Sequence, residues 1–167
     1  MERGGKTVYG ATVGILMLET QFPRVHGDVG NALTWDFPVQ YRVVEGASPD
    51  RVVRNDPSDL AERFIEAGHD LIRSGCDGIT TTCGFLSLIQ EEVKSALGVP
   101  VATSSLMQVP MVQSLLPSGK RCGVTTISEH APGPEHLAPR AAPPVTPVAG
   151  TDVRRCMPTS VLRAHTT

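Results

Sequence analysis

In the run Gly78-Ile79-Thr80-Thr81-Thr82-Cys83-Gly84-Phe85-Leu86, a cysteine separates β-branched residues from a helix-like repeat. Ile79 to Thr82 suit a strand, because branched side chains pack well on a pleated surface. Phe85, Ile89 and Val93 recur at fours, the spacing of one helix face. Cys83 thus falls where a strand ends and a helix begins. Unpaired N–H groups and the positive end of the helix dipole stabilise an anion at such a junction. A thiol there is expected to ionise more readily than a free one, and its thiolate is both nucleophile and base. Thr81, Thr82 and Gly84 add hydroxyls and an unobstructed backbone, donors suited to a carboxylate. The competing reading is a small buried cysteine that closes a strand.

The remaining cysteines are Cys76, Cys122 and Cys156. None forms a Cys-x-x-Cys pair and no paired histidines accompany them, so no zinc site is expected. Cys76 follows a helix and Cys122 opens a strand, which makes both core residues on this reading. His26, His69, His130, His136 and His165 have no spacing that marks a role. His26 alone lies in a long loop, where substrate contacts concentrate.

Around the cysteine junction, hydrophobic patterning alternates between strand and helix. Thr7–Leu18 reads as the first strand, its end nearly continuous in apolar residues, as in a parallel strand covered on both faces. A long loop, 19–49, follows, with Trp35 and Phe37 as anchors and Tyr41–Val44 as a short extended piece. Loops of that length in compact domains are usually lids or binding loops. Asn55-Asp56-Pro57-Ser58-Asp59 starts a helix with a capping aspartate and a first-turn proline. Its apolar face is Leu60, Phe64, Ala67, Leu71 and Ile72, and Ser74-Gly75 ends it. Gly78–Thr82 is the second strand, Val99–Thr103 the third and Arg121–Thr126 the fourth. A helix from Ser104 or Ser105 to Leu116 contains Pro110, which predicts a kink or a late start. The alternation predicts an α/β fold of three layers: a four-stranded parallel sheet, order 2-1-3-4, with helices on both faces. Ligands of such sheets sit beyond the C-terminal strand ends, here Glu19-Thr20, Thr82-Cys83, Thr103-Ser104-Ser105 and Thr126-Ile127-Ser128.

The chain has 167 residues, 40% of them hydrophobic but only 4% aromatic, which predicts one domain with an aliphatic core. A net charge of -2 offers no electrostatic case for nucleic acid. The N-terminus is polar, and the apolar run Val13–Leu18 is too short to cross a bilayer. A cytoplasmic protein without membrane partners is expected. Seven of the 14 prolines fall after His130, from Pro132 to Pro158. Residues 1–128 are therefore expected to form the domain and 129–167 a Pro-rich, poorly ordered tail.

From Thr7 to about Gly150 the chain resembles the aspartate/glutamate racemase superfamily, which includes hydantoin racemase, arylmalonate decarboxylase and maleate isomerase. Three stretches carry the resemblance: Gly14-Ile15-Leu16-Met17-Leu18-Glu19-Thr20 leading to Gly27-Asp28-Val29-Gly30-Asn31, Thr81-Thr82-Cys83-Gly84, and Gly123-Val124-Thr125-Thr126-Ile127-Ser128. It implies one half of a two-domain architecture and a reaction without cofactor. One cysteine per domain acts: one thiolate takes the proton beside a substrate carboxylate, and the other thiol returns a proton on the opposite face. By match, Cys83 is the first of these. Thr82, Gly84, Ser104, Thr126 and Ser128 would line the carboxylate site. The substrate implied is a small carboxylate, an amino acid or a hydantoin, and a homo-oligomer is compatible with the architecture.

The sequence departs from the pattern in two places. Gly84, rather than Asn-Thr, follows the cysteine. The far cysteine, in Arg154-Arg155-Cys156-Met157-Pro158, does not close a buried strand, so Cys156 is given no catalytic role. The chain reads as the N-terminal half of the family with a divergent or truncated end. Expectations from different classes follow: a weakly active or inactive racemase-like isomerase, a non-catalytic carboxylate-binding domain, or an inactive fragment.

Overall fold

The structure is a computed structural model that describes residues 4–54, 57–127, 136 and 146–150. It divides into two compact units, Met1–Ser104 and Ser105–Thr167. Of the expected tail 129–167 only His136 and residues 146–150 are described; the rest of it, with Cys156, and the expected Asn55-Asp56 helix start lie outside the described residues.

The first unit is built on β1 (Val13–Leu18), whose residues from Gly14 onward are buried. Its mixture of Val, Ile, Leu and Met leaves no polar face, as a strand covered on both sides requires. β1 pairs in parallel with β2 (Val39–Val44) on one side and with β3 (Gly78–Thr81) on the other. β3 pairs in parallel with β4 (Val101–Ala102). The result is a four-stranded parallel sheet in the order β2-β1-β3-β4, flanked by helices. The α/β class and a 2-1-3-4 order are those expected. Membership of the sheet differs. The second strand in the chain is Val39–Val44: the short extended piece expected at Tyr41–Val44 within the long loop is a full member of the sheet and starts two residues earlier. Val39, Val43 and Val44 are β-branched and Tyr41 aromatic, so the segment satisfies strand preference once β1 offers it an edge. Gly78–Thr81 lies inside the sheet rather than at its margin.

The expected fourth strand belongs elsewhere. β5 (Val124–Thr126) pairs in parallel with β6 (Val148–Gly150), and the two form a separate sheet in the second unit. Cys122 precedes β5 instead of opening it and is only half-buried, so it is not a core residue. Cys76 is one, 3% exposed. In the second unit, a 3-10 turn (Ser105–Gln108) precedes α4 (Val109–Leu115), with Pro110 in its first turn. The helix starts late, because proline lacks the N–H that an interior position would need.

α1 (Pro49–Arg54) follows β2, and α2 (Ala61–Ser74) leads to β3. α2 buries Ala61, Phe64, Ala67, Gly68 and Leu71; of the expected face, Phe64, Ala67 and Leu71 are buried in the helix, Leu60 is buried in the 3-10 turn before it (Pro57–Leu60), and Ile72 is only half-buried. Glu62 in its first turn and Arg73 in its last oppose the helix dipole. Gly75 ends it with φ 122°, where its N–H reaches the carbonyls of Leu71 and Ile72. A Cβ on Gly75 would lie 2.3 Å from the Val8 carbonyl oxygen, so the residue is glycine on two counts. Gly14 lets α2 and β3 close on β1: a Cβ there would lie 2.8 Å from Ile79 Cδ1 and 2.9 Å from Leu71 Cδ1. The core is aliphatic apart from Phe64 and Phe85, with Ile15, Leu16, Leu60, Leu86, Ile89 and Val93 almost wholly excluded from water.

Candidate active site

β3 carries Cys83 just beyond its last residue, Thr81. The chain then enters a 3-10 turn (Gly84–Ile89) before α3 (Gln90–Leu97) begins. Phe85, Ile89 and Val93 are buried as the fours pattern predicts, but the first half of the expected helix is 3-10. Cys83 caps that turn in an extended conformation, φ -134° and ψ 120°. Its carbonyl accepts from the Leu86 N–H at 3.2 Å. The thiol is approached by the N–H groups of Phe85 and Leu86, which favour its anion.

Those two donors do not prevail. Burial pushes the Cys83 thiol up to about 11, and the Phe85 and Leu86 N–H groups offset only part of that rise. The expectation of a readily ionised thiol is therefore corrected. By surface exposure the residue as a whole is half-buried, yet the loss of water around the thiol disfavours its anion more than two N–H groups favour it, and a short 3-10 turn presents a weaker dipole than a full helix. Burial pushes Cys76 upward as well, with the Asp77 carboxylate adding to the rise.

Two ties from the end of β4 hold the cysteine turn. Thr81 Oγ1 donates to the Thr103 carbonyl at 2.7 Å and accepts from the Cys83 N–H at 3.3 Å. Ser104 Oγ donates to the Gly84 carbonyl at 2.7 Å. The Thr81 hydroxyl and the Ser104 proton are thus engaged within the protein and brace the turn on either side of Cys83. Thr82 differs. Its Oγ1 is buried and has no hydrogen-bond partner among the described residues. A buried hydroxyl without a partner is unfavourable, and a carboxylate oxygen is one acceptor that would satisfy it.

The structure thus brings Thr82, Cys83, Gly84 and Ser104 together in the first unit. Thr126 lies in β5 of the second unit, and Ser128 falls outside the described residues. Among the described residues, no group of three or more His, Cys, Asp or Glu side chains is placed to hold a metal. No described helix is long and apolar enough to cross a membrane.

Sequence reasoning missed Gln90. This side chain is fully buried, 0% exposed. Its Oε1 accepts from both the N–H and the hydroxyl of Thr103, each at 2.8 Å, and its Nε2 donates to the Val101 carbonyl at 2.9 Å. A signal was present: Leu86, Gln90, Val93 and Leu97 follow helical spacing, and Gln90 is the polar member of an otherwise apolar stripe. The capture of the Thr103 N–H by a side chain also explains why β4 ends at Ala102, short of the expected Thr103.

Also missed was the internal bonding of the loop between β1 and β2. Arg24 pairs with Asp28 at 2.7 Å, donates to Thr20 Oγ1 at 2.9 Å and lies over the Phe22 ring at 4.7 Å. Asp28 also accepts from the Gly30 N–H, and Trp35 Nε1 donates to the Val29 carbonyl and to Tyr41 Oη. Trp35 is an anchor, as expected, while Phe37 meets it with the two rings tilted by 48° and keeps 50% of its surface exposed. His26, in the same loop, is exposed.

No known family model matches the chain. Over 102 residues, 60% of its length, it is 35% identical to dimethylsulfoniopropionate lyase 6 of Emiliania huxleyi, and that stretch is 27% of the relative. Over 128 residues it is 27% identical to a dimethylsulfoniopropionate lyase of Durusdinium sp. clade D, covering 75% of this chain and 42% of that one. The chain spans between about a quarter and two-fifths of the length of these curated relatives. Among solved structures it is similar to a glycine-to-cysteine mutant of arylmalonate decarboxylase in a sulfate-associated form. The TM-score is 0.56 at 15% identity, over 90% of this chain and 69% of that one. Its fold is therefore related to that of a decarboxylase named in the expected superfamily, whereas its relatives in sequence carry a lyase name and not a racemase name.

Proposed function

We propose that this chain supplies the base of a site that removes the proton next to a carboxylate, and that its substrate class is a carboxylate with a sulfonium on the β carbon. The observation that carries this reading is the Cys83 turn: a thiol facing two backbone N–H groups, beside a Thr82 hydroxyl that has no partner among the described residues. The lyase name shared by the sequence relatives supports the substrate class.

Dimethylsulfoniopropionate has a carboxylate at one end and a dimethylsulfonium at the other. The Cys83 thiolate takes the α proton and becomes a thiol. The C–H electron pair becomes the α,β double bond, the β carbon–sulfur bond breaks, and its pair leaves on neutral dimethyl sulfide. Acrylate remains. Elimination needs one base on one face of the substrate. Inversion of an amino acid needs a second proton donor on the opposite face, and Cys83 alone cannot reach both. The one thiol that the described residues place at a strand end, Cys83, is all that elimination requires. The sulfonium contributes too, since a cation held near the sulfur favours the thiolate and offsets part of its burial.

The test is to incubate the purified chain with dimethylsulfoniopropionate in deuterated water. Headspace dimethyl sulfide and deuterium at the α carbon are followed together. Release of dimethyl sulfide that falls at least about a hundredfold in Cys83→Ser supports the reading. Inversion of aspartate, glutamate or a hydantoin at a rate above that elimination, lost in the same variant, would replace it with a racemase. Neither release nor α-exchange would leave a non-catalytic carboxylate-binding domain.

A further inference from the structure

We propose that Gln90 is the positioning residue of the cysteine turn, its amide closing a ring of hydrogen bonds through Thr103 and Thr81 back to Cys83. This rests on the reading of Cys83 as the working base. The ring can be followed atom by atom. Gln90 Oε1 accepts from the N–H and the hydroxyl of Thr103, and Gln90 Nε2 donates to the Val101 carbonyl. The Thr103 carbonyl accepts from the Thr81 hydroxyl at 2.7 Å. With that proton committed, Thr81 Oγ1 turns a lone pair to the Cys83 N–H. From Cys83 the backbone runs through the 3-10 turn and returns to Gln90, the first residue of α3.

A side chain that only joined a helix to a strand would stop at Val101 and Thr103. Here the same amide anchors Thr103 by its N–H and hydroxyl, and the carbonyl of that anchored residue accepts from the Thr81 hydroxyl. The segment 81–90 is gripped at both ends through one residue, Thr103. The Ser104–Gly84 bond adds a second tie next to the first. A 3-10 turn has poorer hydrogen-bond geometry than an α-helix, so it needs such outside support to keep one conformation. Gln90 is fully buried, and all its bonds go to groups that would otherwise lie unpaired in the core.

If the ring holds the thiol in its water-poor position, opening the ring lets water reach Cys83. Burial is the larger influence on that thiol, so its titration midpoint should fall from about 11 toward the ordinary value of 9.0. The experiment uses the full chain. Iodoacetamide alkylation of the Cys83 peptide is followed by mass spectrometry from pH 7 to 11.5, beside a thermal melt. Gln90→Met keeps the volume and removes both polar functions. It is expected to lower the Cys83 midpoint by at least one pH unit and raise its alkylation rate at pH 8 about tenfold or more. Thr81→Val, which cuts the ring elsewhere, should do the same, and Thr81→Ser should restore the wild-type midpoint.

A folded Gln90→Met chain with a lower melting temperature and an unmoved Cys83 midpoint would overturn the proposal, leaving Gln90 a packing residue. Should Gln90→Met fail to fold, the Thr81 pair decides: equal midpoints in Thr81→Val and Thr81→Ser would overturn it. The readout needs no turnover. A shifted midpoint in a chain that releases no dimethyl sulfide would sink the elimination reading and leave the ring standing.

Discussion

Cys83 combines two opposing influences, and the larger one decides its chemistry. Between a free thiol at 9.0 and a folded one at about 11, the thiolate population at pH 7 falls about a hundredfold. Two measurements follow. The pH profile of kcat/KM for dimethylsulfoniopropionate, which reports the free enzyme, is expected to climb about tenfold per unit through pH 8–10 and level near 11. A plateau near pH 7 would mean that the thiol is not the base. The same group links stability to pH. Its folded value is raised, so its contribution is fully present below pH 9. Above that the unfolded chain releases the proton while the folded chain keeps it, and the contribution is lost as pH rises toward 11. The loss amounts to roughly 3 kcal/mol across that window. Urea titrations at pH 8 and pH 10.5 should show a smaller pH-dependent drop for Cys83→Ala than for the parent chain.

The elements that carry Cys83 depend on close approaches that only glycine permits. Gly75 combines φ 122° with a neighbouring carbonyl that a Cβ would strike at 2.3 Å. The Val8 backbone cannot yield as a side chain can, since its own N–H donates to the Ser74 carbonyl at 2.9 Å. Gly75→Ala is expected to destabilise the chain by about 2 kcal/mol or more, measured as a shift in urea midpoint with unchanged slope. A change below about 0.5 kcal/mol would show that the α2–β3 turn has another conformation within reach. Much of α2 was legible: its buried stripe and its glycine stop both follow from local spacing. The 3-10 start after Cys83 was not. Periodicity at fours places Phe85, Ile89 and Val93 on one side but does not distinguish a tight turn from a regular one, and the difference comes from ties to β4. Ser104 was legible as a strand-end hydroxyl, yet its proton goes to Gly84, an acceptor 20 residues away that local pattern cannot reveal.

At the scale of the whole molecule, the first unit has its own sheet, helices and core. The fragment 1–104 is therefore expected to melt cooperatively by circular dichroism, whereas a broad, featureless transition would show that the second unit completes its core. The α/β class, the parallel β1–β3 pairing and the position of Cys83 at a strand end follow from the sequence by itself. Continuous apolar runs and β-branched clusters are local properties, and alternation of strand with helix leaves few topologies open. Strand membership was decided by tertiary structure. Val39–Val44 is a strand because β1 offers it an edge, and Val124–Thr126 pairs with Val148–Gly150 instead of joining the main sheet; pairing partners are set by packing over long separations. The same holds for the thiol. The sequence determines that Cys83 stands at a turn with N–H groups nearby, but how much water reaches its sulfur depends on what the fold packs around it, and that burial outweighs the donors.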